Sequence, residues 1–73
     1  MNYYVIVLPM AKDGKVNRQI LEFTDYDSAK AGFHGQCAKY FGNETLKKAW
    51  VCIIDELCNR LDNDYWEEEA IEE

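Results

Sequence analysis

The sequence is poor in the residues that punctuate or cross-link a chain. It has one proline and four glycines in 73 residues, and no repeat, linker or low-complexity segment is visible except the acidic C-terminal end. The three cysteines, Cys37, Cys52 and Cys58, are odd in number and form no C-x-x-C pair. A disulfide framework is therefore not expected, and the reading is a reducing, cytoplasmic setting. Long apolar runs are missing too. The longest early one, Tyr3 to Leu8, is far short of the roughly 20 residues that span a bilayer. The start, Met1-Asn2-Tyr3-Tyr4, lacks the basic region of a secretory signal. Phosphate loops, dinucleotide fingerprints and EF-hand loops are also absent. Neither membrane nor cofactor is expected.

Aromatic residues, by contrast, are plentiful. Five Tyr, three Phe and two Trp can each bury a large area from a single position, which helps a short chain with a high surface-to-volume ratio. The charge is segregated. Residues 1–50 carry seven bases and five acids, whereas residues 51–73 carry Arg60 against nine acids. The net charge of −6 thus belongs to the C-terminal third.

Hydrophobic periodicity predicts an α+β domain with the order ββαβ and a further short strand. Tyr3 to Leu8 is apolar at both odd and even positions, the pattern of a central strand covered on two sides. Pro9, having no N–H to give a ladder, is expected to end it. Asp13-Gly14 predicts a hairpin turn, followed by a strand from Lys15 to Phe23. Thr24 or Asp25 can cap a helix over Ser28 to Phe41. Its stripe Ala29, Phe33, Cys37 and Tyr40 would lie on the sheet, and Gly42 would terminate it. Gly32 and Gly35, inside the helix, mark either close packing or local weakness. Ala49 to Ile54 is a second strand apolar on both faces. Asp55 to Asn59 reads as a turn, and Arg60-Leu61 as the start of a short fourth strand. Connection rules place the third strand beside the first. The expected antiparallel sheet runs second, first, third, fourth, with residues 1–66 as the domain and 67–73 as an acidic tail.

One helix can cover only one face of such a sheet. On the first strand, Tyr3, Val5 and Val7 oppose Tyr4, Ile6 and Leu8. On the third, Ala49, Val51 and Ile53 oppose Trp50, Cys52 and Ile54. One of these sets needs another cover, and a second copy of the chain is the simplest.

Chemistry-bearing residues are sparse. His34, Cys37, Cys52 and Cys58 could in principle hold zinc, but H-x2-C followed by C-x5-C is not a zinc spacing. Cys37 is already explained as a small residue of the apolar stripe. A His34–Cys37 nucleophile pair lacks an orienting group and an oxyanion turn. No enzyme and no metal site is expected. The net charge opposes phosphate contact, so direct nucleic-acid binding is not expected either. The acidic end has two readings. Its carboxylates solubilise the chain, or Asp62, Asp64, Glu67, Glu68 and Glu69 dock on a basic protein groove with Tyr65 and Trp66 as apolar anchors.

A hairpin, an acidic helix start, the pair Phe33-His34, the strand end Ile53-Ile54-Asp55 and the terminal Trp66-Glu67 resemble small proteins encoded by phages and mobile elements of Gram-positive bacteria. Such families turn the last hairpin on Gly, where this chain has Cys58-Asn59. The resemblance implies a bacterial host cell as the setting. Within it, small acidic proteins include inhibitors of defence nucleases, anti-CRISPR proteins among them. The expectation is a non-enzymatic protein-binding module, a phage or mobile-element accessory protein that docks its acidic end on a basic, nucleic-acid-binding host protein as an anti-CRISPR-like inhibitor would. The alternatives are a homodimer whose acidic tail only solubilises, and a zinc-stabilised domain.

Overall fold

The computed structural model describes residues 1–68. They form strands β1 (Tyr3–Ala11) and β2 (Gln19–Phe23), helix α1 (Tyr26–Tyr40), and strands β3 (Leu46–Asp55) and β4 (Arg60–Glu67). The described strands make one antiparallel sheet in the order β2-β1-β3-β4. This is the α+β topology expected from the two doubly apolar strands, which occupy its centre.

β1 does not stop at Pro9. It continues to Ala11, with Pro9 buried and opposite Ala49. The N–H of Asn17 donates to the Pro9 carbonyl at 3.0 Å, so the main chain of residue 9 faces the β2 side, and the β1–β3 ladder never asks for the donor that proline lacks. The cost falls on β2 instead. Val16 makes a single bridge to Met10, and pairing resumes only at Gln19. The strand expected from Lys15 is shortened accordingly. Between the two segments, Asp13-Gly14 makes the expected turn, with Gly14 at a φ of 91° and the Lys15 N–H donating to the Asp13 carboxylate at 3.0 Å.

Asp25 is the N-cap of α1, and its carboxylate accepts the Ser28 N–H at 3.1 Å. Those bonds to Ser28 hold its pKa below the ordinary carboxylate value. Asp27 in the first turn and Lys39 in the last suit the helix dipole. The helix starts two residues earlier than Ser28 and ends one before Phe41, and Gly42 takes a positive φ of 79°. Ala29 and Phe33 are buried against Val5, Val7, Val51 and Ile53, with Cys37 and Tyr40 packed alongside. Each such large apolar side chain contributes about 1.5–3 kcal/mol by leaving water. The core lies entirely between the helix and one face of the sheet.

β3 is longer than Ala49–Ile54, because Asn43 organises the approach to it. Its side-chain oxygen accepts from the Thr45 N–H at 2.9 Å and the Thr45 hydroxyl at 2.7 Å. The β3–β4 hairpin then turns on a residue that rarely does so: Cys58 has a φ of 65°. Asp55 compensates. It is only 7% exposed, and its Oδ1 accepts the Leu57 and Asn59 N–H groups, both at 2.9 Å. A bulge follows. Ile54 pairs with Arg60 and Ile53 with Asp62, which leaves Leu61 outside the ladder. β4 runs eight residues, well past the Arg60-Leu61 start expected of it. It takes in Glu67, the first residue assigned to the acidic tail.

Candidate protein-docking surface

The helix selects which face of the sheet is closed. Val5, Val7, Ala49, Val51 and Ile53 lie beneath it, each at most 1% exposed. Their alternates project from the other side, where the described residues place no element. Ladder partners share a face, so this open face can be read in rows. One row is Glu22, Tyr4, Ile54 and Arg60; the next is Ile20, Ile6, Cys52 and Asn63; a third includes Leu8, Trp50 and Tyr65. A fourth row holds Val16, Met10, Lys48 and Glu67.

The centre of this surface is half-buried, and its margin is wet. Ile20 is 55% exposed, Val16 45% and Tyr65 43%. A shallow depression of about 460 Å³ runs between Leu8, Met10, Trp50, Cys52, Arg60 and Tyr65. The Trp50 and Tyr65 rings pack at 5.3 Å between centroids, tilted by 36°. Tyr65 donates its hydroxyl proton to Glu67 at 2.6 Å. That bond raises the phenol's pKa and lowers the carboxyl's, with Lys48 adding to the latter from 3.8 Å. Burial pushes the Cys52 thiol up, partly offset by a hydrogen bond with the Ile6 main chain and by Arg60, so this thiol is poorly suited to nucleophilic work.

The acidic end is not a single surface. Sheet alternation puts Asp62, Asp64 and Trp66 on the helix side of β4, and Tyr65 and Glu67 on the open side. Several carboxylates already have basic partners in the chain. Asp62 lies 3.5 Å from Lys30, and Glu68 lies 3.2 Å from Lys12. The Glu68 N–H also donates to the Lys47 carbonyl. Glu69 lies outside the described residues. Asp62 and Asp64 have a further task at the outer edge of β4. Their Oδ1 atoms accept the N–H groups of Asn63 and Tyr65, both at 2.8 Å. These are two of the strand's outward donors, since the intervening positions face β3.

Sequence reasoning identified Tyr4, Ile6, Leu8, Trp50, Cys52 and Ile54 as one of two candidate sets. It missed Met10, Val16, Ile20, Arg60 and Glu22 on the same face. Met10 was hidden by the assumption that Pro9 ended the strand, whereas Val16, Ile20, Glu22 and Arg60 lie on the outer strands, where the two faces were not separated. The residues considered for zinc are dispersed. Cys37 sits between helix and sheet, Cys52 on the open face, and Cys58 in the exposed hairpin turn. Among the described residues no cluster of three or more His, Cys, Asp or Glu side chains could hold a metal. No described helix is long and apolar enough to cross a membrane. Comparison of the chain with protein-family models, with curated proteins and with solved structures finds no match.

Proposed function

We propose that this chain is a protein-binding module that works through the open face of its sheet. The observation that carries the reading is the continuous apolar surface from Ile20 across Ile6 and Cys52 to Tyr65, with no described element over it. Apolar patches beyond a few hundred Å² are uncommon on monomers and usually mark an interaction site. Aromatic anchors such as Trp50 and Tyr65 are the residues that dominate such contacts. The charges Glu22, Arg60, Lys48 and Glu67 sit around the apolar centre, the arrangement of an interface core with a polar rim.

The test is a photo-crosslinking amino acid placed at Ile20, on the open face, and separately at Ala31, on the exposed side of α1. Protein adducts formed in the expressing cell at Ile20 and not at Ala31 are expected. Absence of an Ile20 adduct would overturn the reading.

A second reading is supported by the exposure of Asp64 on one side of the edge strand β4 and of Tyr65 and Glu67 on the other, together with the net charge of −6. In it the acidic strand docks on a basic, nucleic-acid-binding host protein, as an anti-CRISPR-type inhibitor encoded by a phage or mobile element would. Salt distinguishes the two. Association through the acidic strand should weaken as ionic strength rises, whereas association through the apolar face should hold or strengthen.

A further inference from the structure

We infer that the open face is covered by a second copy of this chain, in a face-to-face pair whose two-fold axis lies in the interface along the strand direction. The inference rests on the docking-face reading and names its occupant. Three features support it.

The first is charge. Glu22 on β2 and Arg60 on β4 stand at opposite ends of one row, with Tyr4 and Ile54 between them. Neither is in an ion pair within the chain among the described residues. A two-fold axis along the strands lays β4 of one copy over β2 of the other and β1 over β3. Each Arg60 then meets the Glu22 of its mate, twice per pair, and Tyr4 meets Ile54. The row is complementary to itself under that one operation, as an isologous interface requires. At the far end, Lys48 and Glu67 already neutralise each other, so no like charges are brought together there.

The second is size. Four strands spaced ~4.8 Å apart and about eight residues long present roughly 500 Å² in projection. With protruding side chains this approaches the ~800 Å² of accessible surface per partner that stable interfaces bury. Two sheet faces can stack ~10 Å apart to form such a layer.

The third is the closed edge. The outward donors of β4 at Asn63 and Tyr65 are taken by the carboxylates of Asp62 and Asp64. Pairing strand to strand along β4 is thereby discouraged, which favours the face over that edge as the place for two copies to meet.

The experiment is sedimentation equilibrium on the purified chain, with circular dichroism to verify the fold. Wild type should sediment as a dimer. Arg60→Glu or Glu22→Arg alone should raise the dissociation constant about tenfold or more, because each turns two attractions into repulsions. The double variant Glu22→Arg with Arg60→Glu should restore it, while all three variants keep the wild-type fold. Additive losses in the double variant, or rescue of Arg60→Glu by Glu67→Arg instead, would overturn the arrangement. Strictly monomeric wild type would overturn the dimer. If Ile20 then still cross-links to a different protein, the docking-face reading survives with another occupant. If Ile20 yields no adduct, both fall together.

Discussion

Gly32 and Gly35 stand one helical turn apart on α1 and answer to different neighbours. A Cβ added at Gly32 would lie 2.5 Å from Cζ of Phe23, whereas one added at Gly35 would meet nothing within 4 Å. The first glycine is therefore a packing residue that lets the helix sit down on β2, and the second only weakens the helix. Gly35→Ala should stabilise the fold by about 1 kcal/mol. Gly32→Ala should destabilise it by about 1 kcal/mol, because displacing the Phe23 ring outweighs the same gain in propensity. Paired thermal melts with shifts of opposite sign would establish this; shifts of the same sign would refute it. Cys58 is the reverse case, a side chain where glycine is the natural residue. It is exposed and held at a φ of 65°. Cys58→Gly should relieve that strain, less the added freedom of the unfolded chain, and stabilise by about 0.5–1 kcal/mol. A lower melting temperature would mean that the thiol makes a contact of its own.

The hairpin that carries β4 depends on Asp55 to hold the turn that Cys58 makes awkward. The Asn59 main-chain N–H does most to draw this carboxyl below its usual pKa, with the Asn59 side chain and the Leu57 N–H assisting against the cost of desolvation. The unfolded chain therefore binds a proton at Asp55 more readily than the folded one does. The stability it contributes is fully present above the unfolded value of about 4 and is lost as pH falls through the lower folded value. At neutral pH Asp55→Asn should melt below wild type, with early loss of amide protection in β4. The gap between the two should narrow as pH is lowered past about 4. A gap independent of pH would show that the carboxylate's charge is not what holds the turn. The same hairpin marks where the sequence was hard to read. β1, β3 and α1 were legible because their apolar residues follow a clear period. β4 was not, because an edge strand bearing Asp62, Asn63 and Asp64 has few apolar positions. Its stability comes from the Asp55 turn and the pairing with β3, neither of which is a local propensity. The apolar face was legible in its two central strands. The division of the acids between two sides was not, since it depends on a bulge that no composition or period reveals.

Over the whole molecule, one helix and one sheet produce two unlike sides, and the register of β4 on β3 decides how that strand is divided between them. Odd and even residues of a strand look to opposite sides, so a strand has a parity. Leu61 occupies a place in the chain and none in the ladder, and so resets that parity before the acids begin. Deleting Leu61 should leave every partner from Asp62 onward unchanged, and the variant should associate as wild type does in sedimentation. Deleting Asn63 should instead shift the residues behind it by one place, turning Asp64 and Trp66 outward and Tyr65 and Glu67 toward the helix. That variant should lose association while the central strands keep their amide protection; unimpaired association would mean that β4 takes no part in the contact. The bulge at Leu61 thus behaves as a slack link that takes up the odd residue of the hairpin, so the register of the ladder alone sets whether the edge of the open side is greasy or charged.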